Sequence, residues 1–116
     1  MRKLVSGIAL VVVAVVGMVG LVKANEAHNL LLKRSSKERN AVLTKQMKES
    51  GENCVVKENF FQGMAKDGKA FWSIRCTNGK AFLVMIEPDA VGSTTILDCG
   101  VFKLVAGGEC FKKFDN

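Results

Sequence analysis

Cys54, Cys76, Cys99 and Cys110 are the residues of this 116-residue chain best suited to chemistry. A thiol can ligate a metal, exchange disulfides, attack a carbonyl or form a covalent staple, and each use needs a different neighbour. Zinc sites usually bring cysteines in pairs roughly two to four residues apart, whereas even Cys99 and Cys110, the nearest two here, are well separated. No C-x-x-C supports thiol exchange and no C-x-x-C-H supports covalent haem. A nucleophilic cysteine needs a base beside it, and the single histidine, His28, falls in a segment read as a linker, outside the strands that carry the cysteines. The reading is therefore two structural disulfides, with no metal, no cofactor and no catalytic residue assigned.

Other catalytic patterns are missing from the sequence. It holds no G-x-S-x-G, P-loop, H-E-x-x-H or dinucleotide fingerprint. Glu87 and Asp89 flank the only proline, Pro88, and could be read as paired carboxylates, but acids beside a turn proline more often serve the turn. Gly92-Ser93-Thr94-Thr95 resembles an anion-binding turn but has no helix after it, so it reads as the start of a strand.

The elements that position the cysteines follow from local pattern. Ser35-Ser36-Lys37-Glu38 matches a capping box, which predicts a helix from about Ser36 to Glu49 with Ala41, Val42, Leu43 and Met47 as its apolar stripe and Gly51 as its stop. Cys54 to Phe61, Lys69 to Thr77, Lys80 to Glu87 and Ser93 to Asp98 read as four strands separated by Gly, Asn, Asp and Pro. The fold class is α+β: one N-terminal helix on a small antiparallel sheet of three to four strands, with a disulfide-closed C-terminal segment.

Register arithmetic proposes the pairing. A two-residue type I′ turn at Asn78-Gly79 makes positions across that hairpin sum to 157. Trp72, Ile74 and Cys76 then share an apolar, helix-bearing face with Ala81, Leu83 and Met85. The opposite face mixes Phe71, Phe82, Val84 and Ile86 with Ser73 and Arg75. A first hairpin centred near Ala65 pairs positions summing to about 130, which sets Cys54 opposite Cys76 at a distance a disulfide accepts. Cys99 and Cys110 would close the segment between them. Four cysteines allow three connectivities, and this one satisfies the geometry.

Charge and hydropathy indicate compartment. Met1-Arg2-Lys3 precedes an uncharged run from Leu4 to Val22, and Val22-Lys23-Ala24 offers small residues for signal peptidase. Residues 1–24 read as a signal peptide or an N-terminal membrane anchor, residues 25–35 as a basic linker, and residues 36–116 as one small domain. The run suits either cleavage or a span. The Lys and Arg residues after it argue for a cytosolic domain by the positive-inside rule, but four cysteines in a small domain fit an oxidising compartment better. Residues 25–50 hold six basic and three acidic residues, and residues 51–116 hold eight of each. A balanced body gives nucleic acid no basic face, while residues 4–22 and the basic segment 33–39 can contact a membrane.

The C-terminal stretch interleaves Phe102, Phe111 and Phe114 with Lys103, Lys112 and Lys113. Such a pattern can bind a partner through stacking and charge, or pack its rings on the open sheet face while the lysines reach solvent. These six are the candidate partner-binding residues.

Phe71-Trp72-Ser73-Ile74, the turn, Ala81 to Ile86, an acidic turn and Thr95-Ile96-Leu97 together resemble PepSY-type domains of exported bacterial proteins, over about residues 41–97. That resemblance implies an extracytoplasmic protein-interaction or peptidase-inhibitory module; the four cysteines and the Lys-Phe tail lie outside its pattern. The expectation is a non-catalytic binding or assembly module, periplasmic or tethered to the inner membrane, with another envelope protein or peptide as partner. The alternative is a thiol-redox or metal-handling envelope protein with a free cysteine.

Overall fold

The computed structural model describes residues 24–114, and the expected leader, including the apolar run 4–22, lies outside them. Helix α1 (Glu26–Leu32) and helix α2 (Ser36–Glu49) precede strands β1 (Val56–Met64), β2 (Ala70–Cys76), β3 (Ala81–Ile86) and β4 (Thr94–Asp98), and helix α3 (Cys99–Ala106) follows. The strands form one antiparallel sheet in the order β1-β2-β3-β4. The α+β architecture expected from the sequence is the one observed. Among the described residues no helix is long and apolar enough to cross a membrane.

Helix α2 has the predicted bounds because its signals are local. Ser35 Oγ accepts from the Glu38 amide (3.2 Å) and Glu38 Oε1 accepts from the Ser35 amide (3.0 Å), so two orphan donors are satisfied reciprocally. At its far end the amides of Gly51 and Glu52 donate to the carbonyls of Lys48 and Met47, with Gly51 at φ +86°, a Schellman stop that glycine makes at low cost. Leu43 and Met47 face the sheet, buried to 2% and 0% exposure, while Val42 stays 40% exposed.

The segment read as a basic linker, residues 25–35, instead contains helix α1. Asn25 caps it by accepting from the His28 amide. The Asn25 side-chain amide also donates to the carbonyls of Gly68 (3.0 Å) and Ile86 (2.8 Å). One side chain thus ties α1 to the first hairpin loop and the end of β3. His28, placed outside the sheet by the sequence reading, is buried at 2% exposure.

Both hairpins use one loop, and it is not the expected type I′ turn. Ala65-Lys66-Asp67-Gly68-Lys69 and Cys76-Thr77-Asn78-Gly79-Lys80 close by the same bonds. Ala65 and Cys76 donate to the carbonyls of Lys69 and Lys80 and accept from the amides of Gly68 and Gly79. The Asp67 and Asn78 side chains each accept from the following lysine amide at 3.0 Å. Only the glycines have positive φ, +92° and +91°, whereas type I′ needs it at both central residues. Asn-Gly therefore sits in a three-residue loop with a left-handed glycine.

That loop changes the register and the faces. Trp72 pairs with Val84 and Ile74 with Phe82, a one-residue slip from the expected sum. The face under the helices consists of Trp72, Ile74 and Cys76 with Phe82, Val84 and Ile86, not with Ala81, Leu83 and Met85. Those three join Phe71, Ser73 and Arg75 on the opposite face. Leu31, Leu43 and Met47 complete the helix-side core. The first hairpin also departs from the expected sum, because irregularities between Val56 and Glu58 and between Phe61 and Gly63 shift β1 against β2. The ladder partner of Cys76 is Val56. The disulfide nevertheless joins Cys54 to Cys76, with Cα atoms 5.2 Å apart, and the second joins Cys99 to Cys110 at 5.9 Å. Both expected bridges are present.

Candidate interaction surface

A sheet offers two faces and two edges to a partner, and this chain covers most of its own. The face away from α1 and α2 is closed by the segment after α3. Gln62, the extra residue at one bulge, is 1% exposed. It accepts from the Ser73 hydroxyl, donates to the Glu109 carbonyl (2.6 Å), and its backbone carbonyl accepts from the Phe114 amide (3.0 Å). Ser73 Oγ also accepts from the Phe111 amide at 2.9 Å. Two buried polar side chains therefore satisfy the tail backbone, which is what burying them requires.

Two of the six candidate partner-binding residues, Phe111 and Phe114, are used in that closure. Phe111 lies 6.1 Å from Phe60 and Phe114 lies 5.2 Å from Phe71, edge on. The Arg75 guanidinium sits 4.6 Å from the Phe111 ring centre while its Nε bonds Glu58 at 3.2 Å. Phe102 packs against Gly108. Lys103, Lys112 and Lys113 remain exposed, with Lys113 Nζ 4.6 Å from the Phe61 ring. The Phe111 and Phe114 rings cover the sheet and the lysines reach solvent.

The start of the β1 edge is also occupied from within. Thr44 Oγ1 accepts from the outward amide of Val56 (2.9 Å), and Asn40 donates to the Lys57 carbonyl (3.1 Å) and accepts from Asn59 (2.7 Å). Helix α2 thereby blunts an edge that would otherwise invite pairing.

The β4 edge differs. Glu87 donates to the Ser93 carbonyl, which sets the alternation: Thr95 and Leu97 bond β3, and the amides of Thr94, Ile96 and Asp98 point away from the sheet. Helices α1 and α2 stop short of this edge, leaving a groove of about 150 Å³ on the helix side, lined chiefly by Ala27, Leu31, Val42, Ile86, Val91 and Thr94. Val91, at its rim, is 83% exposed.

Asp89 Oδ1 accepts from the amides of Val91 and Ser93, and hydrogen bonding from Ser93 holds its carboxyl below the usual range. Glu87 pairs with Lys69 at 3.5 Å. This acid pair shapes the β3–β4 loop. A larger depression of about 400 Å³ is bordered by Thr44, Lys48, Glu52 and Asn53. His28 Nδ1 accepts from Trp72 Nε1 at 2.9 Å; burial lowers the His28 pKa, which favours the neutral ring that this bond requires. The sequence reading missed this pair, although Asn25-Glu26 is a usable helix-start signal.

Comparison of the chain with protein-family models, with curated proteins and with solved structures finds no match.

Proposed function

We propose that this chain is a small, non-catalytic binding module of the cell envelope, exported, and periplasmic or tethered to the inner membrane. It presents the β4 edge to another envelope protein or peptide. The observation that carries the reading is the state of the β4 edge: helix α2 bonds the start of the β1 edge at Val56 and Lys57 through Thr44 and Asn40, whereas β4 keeps outward amides along its length beside an apolar groove. Backbone groups left this way are a template for an added strand. Two disulfides in so small a domain support an oxidising compartment. The PepSY-like strand pattern points to the same class of function. A redox or metal-handling role would need a free thiol, and all four cysteines are bridged.

The test is photo-crosslinking in the host envelope from single positions. Probes at Val91 and Thr95 should trap one common partner, identified by mass spectrometry, that probes at Lys57 and Lys80 do not trap. Adducts concentrated at Lys112 and Lys113 would move the site to the tail. Absence of adducts from every position would overturn the binding-module reading.

A further inference from the structure

The β4 side of the domain is biased in charge as well as in shape. From Ala81 to Phe102 the sequence contains Glu87, Asp89 and Asp98 and not one Lys or Arg. Most basic residues lie elsewhere, among them Lys37, Lys45 and Lys48 on α2, Lys57 on β1, and Lys112 and Lys113 in the tail, and the nearest in the chain is Lys103 on α3. Glu87 is partly compensated by Lys69, while Asp89 and Asp98 lie near the two ends of β4 and accept from neutral donors, the Val91 and Ser93 amides and the Ser93 side chain at one end and the Gly100 and Val101 amides at the other. Between them the strand reads Thr-Thr-Ile-Leu-Asp, without the Lys or Pro that commonly guards an edge. The side chains of Thr94 and Ile96 stand on the helix face beside the groove, because Ile96 pairs with Val84, and Val84 with Trp72.

Resting on the reading of the chain as a binding module, we infer that the β4 edge takes an extended apolar peptide with basic ends, added as a fifth strand. The ladder is completed by the amides and carbonyls of Thr94 and Ile96 and by the amide of Asp98, whose carbonyl opens helix α3 as its N-cap. Alternate peptide side chains enter the groove between Val42 and Val91, which explains why those two valines are left open at its rim. The peptide's basic termini meet Asp89 at one end of the strand and Asp98 at the other. An acidic peptide would place like charges together, so the edge selects by sign as well as by extension. Specificity then comes from every second residue of the ligand, as the two-residue period of a strand dictates.

The experiment uses the full-length disulfide-bonded protein and a fluorescent synthetic peptide of alternating valine and threonine with lysine at both ends. Binding is followed by anisotropy, and amide exchange by NMR. The expected result is saturable binding together with slowed exchange at Thr94 and Ile96, by about tenfold or more. Thr94→Pro removes an outward donor that the domain's own ladder does not use, so the sheet should persist while affinity falls about tenfold. Val91→Lys, at an exposed site, should weaken binding without touching the edge amides. Replacing the terminal lysines by glutamate should weaken it as well. Slowed exchange elsewhere, equal binding of the glutamate-ended peptide, or affinity unaffected by both Thr94→Pro and Val91→Lys would overturn the inference. So would self-association through β4 that the peptide cannot displace. Any of these with crosslinks from Val91 and Thr95 intact would refute the ligand chemistry alone; loss of those crosslinks as well would refute the binding reading.

Discussion

Trp72 donates its indole N–H to His28 Nδ1 across 2.9 Å, in the buried layer between α1 and the sheet. Both residues are almost wholly removed from solvent, at 0% and 2% exposure. The bond requires a neutral imidazole whose proton is on Nε2, because a protonated Nδ1 would present a second donor to the indole. Helix α1 is therefore joined to the sheet by a titratable contact.

Stability should consequently depend on pH in a defined window. Burial lowers the His28 pKa in the folded state from the usual 6.5, so the unfolded chain binds the proton more readily. Stability is then full above pH 6.5 and falls as pH drops through and below that value, by at most about 1.4 kcal/mol per pH unit for one proton. Glu38 and Asp89, both lowered by hydrogen bonds from neighbouring residues, lose their contribution only at more acid pH. Denaturant melts between pH 7.5 and 5 should show the upper phase in the parent and not in His28→Leu.

Asn25 makes a similar junction by hydrogen bonds alone. Its side chain caps α1 and holds the Gly68 and Ile86 carbonyls, so Asn25→Ala removes a cap and two further hydrogen bonds that tie α1 to the sheet. The expected loss is about 2 kcal/mol in chemical denaturation, and Asn25→Asp should not rescue it because a carboxylate cannot donate to those carbonyls. Full stability in the alanine variant would show that α1 is held by packing only.

The tail should be separable from the rest of the fold. A Cβ on Gly63 would lie 2.5 Å from Phe114 Cδ2, so Gly63→Ala displaces that ring and should cost about 1–3 kcal/mol. Opening the Cys99–Cys110 bridge with paired serine substitutions should speed exchange of the Phe111 and Phe114 amides, which bond Ser73 and Gln62, while β2 and β3 keep their protection. Removing Cys54–Cys76 should lower global stability instead, by about 3 kcal/mol in loop-entropy terms.

These junctions also show where the sequence was legible. Helix α2 was, to the residue, because its cap and stop lie within the segment they bound. The disulfides were legible through the strand count, although the assumed register was wrong: Lys57 and Gln62 sit where β1 slips against β2, and bulges carry no reliable sequence signal. The faces of β3 were illegible for a different reason. Ala-Phe-Leu-Val-Met-Ile is apolar at every position, so a one-residue slip exchanges one apolar face for another and no alternation exposes the error. Only the repeated Asp-Gly-Lys and Asn-Gly-Lys could have hinted at the shared loop. Helix α1 was missed because its seven residues draw their stability from tertiary bonds of Asn25 and His28 rather than from a repeating stripe. The β4 edge was legible as a strand, whereas its contrast with β1 depends on where Thr44 and Asn40 reach.

The account rests on a stapled domain working outside the cytoplasm. Its most direct measurement is the intact mass of the protein from its native host, with and without reduction, after alkylation of free thiols. The expected result is no alkylation before reduction and four alkylated cysteines after it, whether or not the mass has lost residues 1–24. Alkylation of the native, unreduced protein would contradict the account: the cysteines would be free in the cell, the domain would face a reducing compartment, and the envelope partner would have to be abandoned.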